Sequence, residues 1–310
     1  MDETLRKLRA LADPTRLRIL ALCARGTFCV TELTEVLGQS QPRLSRHLKI
    51  LTDAAILACS REGTRAWFRA GNDSLVNAAL AAIPAQDPAL AADARATARV
   101  LAERARAASA QFQASGADWD EMRALSLNAD AVERQIIQVL GEQAPNATTL
   151  LDIGTGTGRL LELCAPRMVD CIGIDASPAM LALARTRLAR KALRHCRVQQ
   201  ADAYHLSLPD ETFDVVTLQM LLHHAEAPGD MLLEAARVLA PNGRLLVIDL
   251  TDDPAPPSGL RWPGFADADM RSRLADAGLC LTGSVTISGT YTVAIWTAKR
   301  AASDEGALAA

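Results

Sequence analysis

The apolar positions in the first 73 residues recur at helical spacing in four short segments and then alternate in two extended ones. Residues 3–12 and 14–25 each carry leucine or isoleucine on one stripe, and Asp13 before Pro14 is typical of a helix N-cap followed by a first-turn proline. The elements predicted after them are helices at 31–37 and 41–51 and strands at 56–60 and 65–69, around the turn Glu62-Gly63-Thr64. The pattern predicts a small α+β domain.

After Pro145, apolar strands alternate with helical stretches, which is typical of a parallel sheet covered by helices on both faces. The predicted strands are 150–153, 171–174, 198–200, 215–218 and 245–248, and the predicted helices are 160–166, 178–190, 229–239 and 267–277. Two extended segments, 281–288 and 290–299, follow on either side of Gly289. The pattern predicts a Rossmann-like α/β sheet that ends in an antiparallel hairpin.

Residues 74–140 lie between these regions; they are rich in alanine and helical in propensity, with breaks at Pro84, Pro88 and Gly116. Because the charges of this segment are spread along it, we expect solvated helices that link the two parts and support dimerisation. The predicted division of the chain is a first domain (1–84), a helical linker (85–135), a second domain (136–300) and a disordered tail (301–310).

Charge is distributed unevenly between the two predicted domains. Residues 1–73 carry a net charge of +4 and the remainder −7, so we expect a polyanionic partner to meet the N-terminal part. The seven cysteines are scattered and form no Cys-x-x-Cys pair, which argues against a disulfide framework or a zinc cage and favours a reducing, cytoplasmic location. No apolar stretch approaches the ~18 residues of a membrane span. We expect neither a membrane partner nor a bound metal.

The two helices at 31–37 and 41–51 have the proportions of a helix-turn-helix. In the second helix, Leu44, Leu48 and Leu51 can pack inward while polar groups face outward and donate to base edges or phosphates. The candidate DNA-contacting residues are Gln41, Arg43, Ser45, Arg46, His47 and Lys49 on this helix, and Arg61 and Arg65 on either side of the hairpin turn.

Three ordered blocks carry a family resemblance: LADPTRLRIL, LTEVLGQSQPRLSRHLKILTDAAIL and REGTRAWFRA. They resemble the ArsR/SmtB family of winged helix-turn-helix repressors over about residues 3–83. The resemblance implies a double-stranded DNA operator as partner, and a homodimer held together through the helices at 3–12 and 74–83. A winged helix used only for protein contacts is the alternative. The metal sensors of the family have a pair of thiols near this position. Here Cys29 is present, but Thr31, two positions later, stands where the second thiol would be, so the pair is not matched.

The segment LLDIGTGTG places an acidic residue two positions before three alternate glycines. Such glycines let the backbone turn and approach a ligand before the next helix begins. Asp175 and Asp202 follow the next two predicted strands, and Gln219 follows the fourth. A carboxylate at the second strand can accept both hydroxyls of a ribose, and an acidic loop suits a sulfonium cation but repels a pyrophosphate. The pattern favours an adenosyl sulfonium ligand, with a nicotinamide or other nucleotide as the alternative.

Five segments carry a second resemblance: LDIGTGTG, GIDASPAML, QADAYHLSL, FDVVTLQMLLHH and VLAPNGRLLVIDL. Over about residues 118–299 they resemble class I methyltransferases of the ubiquinone and menaquinone biosynthesis type, whose fold is a seven-stranded sheet and whose cofactor is S-adenosyl-L-methionine (SAM). S-adenosylhomocysteine is then the product or an effector. The implied cofactor-binding residues are Asp152, Gly154, Thr155, Gly156, Gly158, Asp175, Ala176, Met180, Asp202, Ala203 and Gln219. The segment 112–128 resembles the helix that covers the cofactor, with Phe112 and Trp119 as lid residues or as plain packing residues.

Methyl transfer requires in-line approach of the acceptor and removal of a proton. His223 and His224 follow the fourth strand, and we expect them at the crevice mouth, where either can act as the base near neutral pH. Packing within the loop is the alternative.

Two acceptors are not expected. Amino-methylating DNA enzymes resemble one another in an [N/D]-P-P-[Y/F] turn, and this chain has QMLLHH there. Arsenite methylation requires converging thiols, whereas Cys164, Cys171, Cys196 and Cys280 lie on separate predicted elements with no sign that they meet. We therefore predict a repressor-type DNA-binding regulator whose fused SAM-dependent domain methylates a small molecule. A non-catalytic repressor that senses SAM or S-adenosylhomocysteine is the alternative.

Overall fold

The computed structural model describes residues 2–62, 64–71, 74–84, 87–114, 127–252 and 260–301. The N-terminal domain follows the predicted order of elements, with the addition of β1, a short strand that the sequence did not predict. These are α1 (Asp2–Leu11), α2 (Pro14–Cys23), β1 (Phe28–Cys29), α3 (Val30–Leu37), α4 (Gln41–Asp53), β2 (Leu57–Glu62), β3 (Arg65–Ala70) and α5 (Ser74–Ala82). The strands form an antiparallel sheet in the order β1-β3-β2. This confirms the predicted helix-turn-helix with its hairpin.

Local sequence signals explain where these helices begin and end. Asp13 caps α2, since its carboxylate accepts a hydrogen bond of 3.0 Å from the N–H of Arg16, and Pro14 takes the first helical position. Gly38 ends α3 in the left-handed conformation, with a φ of 63°, and turns the chain into α4. The leucines of α4 are buried in the domain core, which leaves the opposite face of the helix to solvent.

The second domain alternates strands and helices as predicted. After α6 (Pro88–Ala114), its elements are α7 (Ala129–Gln143), β4 (Thr149–Ile153), α8 (Arg159–Cys164), β5 (Asp170–Asp175), α9 (Pro178–Arg190), β6 (Cys196–Gln200), β7 (Phe213–Gln219), α10 (Pro228–Val238), β8 (Leu239–Leu250), α11 (Asp267–Asp276), β9 (Leu279–Ile287) and β10 (Val293–Arg300). Strand β8 begins earlier than predicted because Leu239 pairs with Phe213 of β7 across a shift in register.

The seven strands form one sheet in the order β6-β5-β4-β7-β8-β10-β9. Strands β4 to β8 pair in parallel, and β10 is antiparallel to β8 and β9. This confirms the closing hairpin, and apolar clusters cover the sheet. The chain order reverses between β4 and β7, and in open α/β sheets ligands bind at the carboxyl ends of the strands beside such a point. The fold therefore places the ends of β4, β5 and β7 around one crevice.

Helix α6 is exposed on one face and buried on the other, so the prediction of solvated linking helices is wrong for its buried face. Val100 and Leu101 are buried in the core of the N-terminal domain. Asp93, 2% exposed, accepts two hydrogen bonds of 2.5 and 2.7 Å from Arg18 of α2. The helix also packs against α9 of the second domain. Partners distant in sequence bury two of its charged side chains, Asp93 and Arg104, which composition alone does not reveal.

Among the residues that the structure describes, no helix has the length and apolar character needed to cross a membrane.

Candidate cofactor crevice and DNA-binding face

The loop after β4 bends through three glycines with positive φ: 74° at Gly154, 53° at Gly156 and 74° at Gly158. Residues with a side chain rarely adopt this conformation, so the backbone itself requires the alternate glycines. A Cβ at Gly154 would lie 2.8 Å from a methyl carbon of Leu221, whereas a Cβ at Gly156 would meet no atom within 4 Å. The backbone of Gly156 therefore borders open space that a ligand can fill.

Asp152 is the last but one residue of β4 and is buried, with 1% of its surface exposed. Its carboxylate accepts a hydrogen bond of 2.8 Å from the hydroxyl of Thr217 in β7. Burial raises the pKa of Asp152 to about 6. At neutral pH the carboxyl is mostly ionised inside the protein, so a cation bound nearby would be attracted to it more strongly than in water.

Asp175, at the end of β5, holds the glycine loop from the neighbouring strand. Its Oδ2 accepts the N–H of Gly156 at 2.9 Å, and its Oδ1 accepts the N–H of Ser177 at 2.8 Å. Burial raises the pKa of Asp175, although these two hydrogen bonds oppose the rise. An ionised carboxylate has about four acceptor positions, so Asp175 keeps acceptor capacity for a ligand.

Most other predicted cofactor residues follow the same strand ends. Ala176 is exposed after β5, and Met180 and Gln219 are half-buried. After β6, Asp202 is exposed and Ala203 is half-buried. The structure thus leaves all five side chains or their backbone partly open to solvent around the carboxyl edge of the sheet.

Thr155 is the exception among the predicted loop residues. It is buried, and its N–H donates to the carbonyl of Ile174 in β5 at 2.8 Å. Its hydroxyl oxygen lies only 2.6 Å from the position that a Cβ on Gly173 would occupy. Thr155 therefore faces the sheet and supports the loop rather than the crevice.

His223 is fully buried, so the prediction that both histidines stand at the crevice mouth is wrong for it. Its Nδ1 lies 2.5 Å from the carboxylate of Asp249, which is also fully buried and accepts the N–H of Leu222 at 3.0 Å. The carbonyl of His223 accepts the N–H of Trp262 at 3.0 Å. His223 thus fastens the loop after β7 to β8, while His224 is exposed.

Sequence reasoning missed Asp249, although a signal was present. Asp249 closes an apolar strand in LLVIDL, as Asp152 and Asp175 do in their strands. A carboxylate at the end of a buried strand is rarely left without a partner. The aspartate at the end of this apolar strand therefore indicated that Asp249 has a buried partner, which the structure shows to be His223.

Part of the predicted site lies outside the described residues. This holds for Trp119, for the side chain of Phe112 and for most of the segment 112–128.

Helix α4 and the β2–β3 hairpin present basic and polar side chains on one surface each. The exposed members of the predicted set are Gln41, Arg43, Ser45, Arg46 and Lys49 on α4, and Arg61 and Arg65 on the hairpin. Lys49 pairs with Asp53 at 3.0 Å.

His47 is half-buried, with Nδ1 3.9 Å from the carboxylate of Asp13, and so faces α2 instead of the outer surface. Ser40 makes no side-chain cap, which leaves first-turn N–H groups of α4 to a phosphate.

A buried ion pair joins the hairpin to the second domain. Glu62, the last residue of β2, pairs with Arg185 of α9, and the two side chains are 10% and 2% exposed. The same Glu62 oxygen accepts the N–H of Gln200 at the end of β6 at 3.0 Å. The Arg185 guanidinium lies 3.9 Å from the ring centroid of Trp67 in β3. No local signal predicts this pair, because 123 positions separate its partners.

The cysteines are closer in space than along the chain. Cys171 of β5 and Cys196 of β6 are direct partners across adjacent strands, and a ring nitrogen of His195 lies with their sulfur atoms inside 4.8 Å. The expectation that the cysteines do not meet is therefore wrong for these two. The register of parallel strands, not the spacing in sequence, decides which side chains lie opposite each other.

The fold and these sites define a winged-helix DNA-binding domain joined to a class I methyltransferase domain. A model of the family described as "Bacterial regulatory protein, arsR family" matches residues 13–57, and one described as "Methyltransferase domain" matches residues 151–247. The arsenical resistance operon repressor of Bacillus subtilis is 45% identical over 75 residues, which cover 24% of this chain and 70% of that protein. The chain belongs to the ArsR family of bacterial regulators through its N-terminal domain.

The second domain has relatives among methyltransferases. A demethylmenaquinone methyltransferase of Thermus thermophilus is 37% identical over 140 residues, covering 44% of this chain and 61% of that protein. An uncharacterized methyltransferase of Bacillus subtilis is 36% identical over 100 residues, covering 32% of this chain and 40% of that protein. The chain therefore spans 40% and 61% of the length of these two relatives. The domain is homologous to SAM-dependent methyltransferases, and this similarity implies SAM as the cofactor.

Proposed function

We propose that this protein is a repressor-type transcriptional regulator that binds operator DNA as a homodimer and uses SAM to methylate a small molecule. The contact between Glu62 and Gln200 carries this proposal. It fastens the hairpin that would touch DNA to the end of β6, two residues before Asp202, where we place the adenine of SAM. A ligand shifts DNA affinity only by binding two arrangements of the protein unequally. A direct contact between the elements that carry the two sites supports such a shift.

Open space and negative charge in the crevice support SAM as its ligand. The open space beside Gly156 admits a ligand against the backbone, and the buried carboxylate of Asp152 favours the positively charged methionine part. Asp175 has acceptor capacity for the ribose hydroxyls, and Met180 is placed to pack near the adenine. When bound, SAM supplies an electrophilic methyl group. The residues of the chain bind it, align the acceptor and exclude water.

The DNA-binding half of the proposal is supported by the exposed donors of α4 and the hairpin. We assign Gln41, Arg43 and Arg46 to base edges and phosphates of the major groove. Arg61 and Arg65 would contact the neighbouring sugar-phosphate backbone, which makes their contribution independent of sequence and sensitive to salt.

The homodimer is supported by an uncovered apolar stripe on α1. Leu5 and Leu8 are 41% and 47% exposed on this helix. Burying the exposed part of two such side chains from each protomer would contribute about 4 kcal/mol, on the order of 1 per side chain, because each is already more than half buried. Because the family resemblance also places the first helix in the dimer interface, we assign α1 to that contact.

The acceptor is proposed from the relatives of the second domain. One of them is named for the methylation of demethylmenaquinone, a small molecule rather than DNA or protein. We infer a small-molecule acceptor here as well, with His224 as the exposed candidate for the base.

The alternative is a repressor that senses SAM or S-adenosylhomocysteine without turning either over. The burial of His223 against Asp249 favours it, because this removes one of the two candidate bases from the crevice.

A single titration distinguishes these functions. The full chain is mixed with duplexes from its own promoter at low ionic strength and titrated with SAM and with S-adenosylhomocysteine, while methylated product from cell metabolites is monitored. Turnover together with a change in DNA affinity supports the regulator with an active enzyme. A change in DNA affinity without turnover supports the sensor. If neither compound binds in calorimetry, or if the duplex is ignored, the corresponding half of the proposal fails.

A further inference from the structure

Three donor side chains meet at the amino ends of β5 and β6, the opposite edge of the sheet from the glycine loop. Cys171 lies one residue after the start of β5 and pairs in register with Cys196, the first residue of β6. His195 precedes Cys196, and its carbonyl accepts the N–H of Cys171 at 2.9 Å. The two sulfur atoms and one ring nitrogen all lie within 4.8 Å of one another. The backbone of two paired strands therefore holds the three side chains together.

A hydrogen bond sets the tautomer of the His195 imidazole. Its Nε2 lies 3.0 Å from the backbone carbonyl oxygen of Ala165. A carbonyl oxygen can only accept, so Nε2 carries the proton and Nδ1 keeps its lone pair. Histidines that bind metals commonly donate their other ring N–H to a carbonyl in this way, which sets the tautomer and the ring orientation.

The donor set selects the kind of ion. Two sulfurs and one imidazole suit a thiophilic cation such as Zn²⁺, whereas Mg²⁺ and Ca²⁺ prefer oxygen ligands. In a tetrahedral zinc site with Zn–S of ~2.3 Å, the ligand atoms are separated by roughly 3.5 Å. Because the three atoms lie within 4.8 Å of one another, they would have to approach by at most about an ångström to reach this geometry. Two thiolates also neutralise a divalent ion, which suits the burial of Cys171 and Cys196 at 0% and 6% exposure.

The cluster borders a small cavity that Arg69, Arg185 and Arg194 also line, and a further thiol lies close to it. Cys196 lines the small cavity between the two domains, together with Cys23 and Gly26 of the N-terminal domain. Cys164, buried at the end of α8, directly precedes the Ala165 carbonyl that orients His195. Its position makes Cys164 a candidate for a fourth ligand.

We propose that Cys171, His195 and Cys196 form a zinc site in the second domain, separate from the cofactor crevice. The site would tie β5 to β6 beside the junction of the two domains. Because an ion that binds only the folded chain stabilises it, zinc would raise the midpoint of thermal unfolding.

The test uses the full chain in a background where the exposed thiols are removed by Cys59→Ser and Cys280→Ser. The metal-free protein is titrated with Co²⁺, whose thiolate complexes show charge-transfer absorption and, when tetrahedral, strong visible bands. We expect one equivalent to bind with thiolate bands, and one equivalent of Zn²⁺ to displace it. Weak absorption without a thiolate band would overturn the proposal.

Three variants locate the ligands. Cys196→Ser and His195→Gln should each weaken Co²⁺ binding by about tenfold or more and change the spectrum. Cys23→Ser alters another buried thiol on the same cavity, outside the cluster, and should bind Co²⁺ like the background. Because His195 is only half-buried, its variant should fold even if the cysteine variant does not. Unchanged spectra in His195→Gln, or recovery of Cys171 and Cys196 as a disulfide after reduced purification, would contradict the site.

Discussion

At Gly156 the backbone has a φ of 53° and open space where a side chain would begin. Its N–H is held by Asp175, so this residue combines a conformation that only glycine adopts easily with a surface free for a ligand. Gly38 has the same two properties, a φ of 63° and no neighbour within 4 Å, but it lies in the N-terminal domain. Comparing alanine substitutions at Gly156 and Gly38 therefore separates two effects. One is the loss of stability caused by the left-handed conformation, and the other is the loss of ligand binding caused by a side chain in the crevice.

We expect Gly156→Ala to weaken SAM binding by more than about tenfold, because the added methyl group occupies the ligand's side of the loop. Both Gly156→Ala and Gly38→Ala should lower the free energy of unfolding by about 1 kcal/mol, the cost of a left-handed alanine. Calorimetry with SAM and thermal unfolding of both variants measure the two effects. Equal SAM affinity in Gly156→Ala and the parent protein would contradict the assignment of the loop.

The pKa of Asp152 predicts how SAM binding depends on pH. Burial raises this pKa from 3.8 to about 6, so folding favours the protonated form and stability falls as pH rises from about 4 to about 6. A sulfonium favours the ionised form. The affinity for SAM should therefore rise relative to that for S-adenosylhomocysteine as pH increases through about 6, by roughly tenfold. Calorimetry at about pH 5 and pH 8 measures the ratio, which Asp152→Asn should make independent of pH.

At the scale of elements, the sequence periodicity of α4 gives the helix one apolar and one polar face. Its packing in the domain decides which polar residues reach the outer surface. The leucines bury one face, and the helix then presents Arg43 and Arg46 together on the other. His47 does not share that outer face, because Asp13, at the start of α2, lies against its flank of the helix. Periodicity correctly predicted which leucines are buried. The exposure of side chains at the edge of the polar face, such as His47, depends instead on which element packs beside the helix.

We expect Arg43→Ala and Arg46→Ala each to weaken DNA binding and to reduce the slope of log affinity against log salt by about 1 for each phosphate that the variant no longer neutralises. The matched control is Arg134→Ala, which removes an exposed arginine from α7 in the second domain. Fluorescence anisotropy at several salt concentrations measures the slopes. A slope that changes equally in Arg134→Ala would show that overall charge, and not the α4 surface, attracts the DNA.

At the scale of the whole molecule, the two domains share a buried polar junction. Glu62 links the hairpin to α9 and β6, and Arg104 of α6 pairs with Glu32 of α3 through hydrogen bonds of 2.6 and 2.7 Å. Breaking one partner of a buried pair costs about 3 kcal/mol or more, whereas replacing both by apolar groups is often neutral. This asymmetry allows the junction to be removed without unfolding the chain.

We expect the double variant Glu62→Ala, Arg185→Met to bind SAM and DNA separately with nearly unchanged affinity, while the change in DNA affinity caused by SAM falls towards none. The control is Glu234→Ala, Arg237→Met, because Glu234 also pairs with an arginine and accepts a backbone N–H, but within the second domain. The measurement is DNA affinity with and without saturating SAM. A response to SAM that survives in the first double variant would exclude the junction as the route.

The sequence alone determined the order and type of the elements, the glycine bend and the polar face of α4. These features depend on residues close together along the chain: apolar spacing, caps, and glycines at positive φ. Only the tertiary structure decided that one face of α6 is buried, that His223 is held by Asp249, that Glu62 reaches β6, and that Cys171, His195 and Cys196 meet. Each of these joins residues far apart in sequence, and strand register and helix packing, which no local pattern encodes, bring them together.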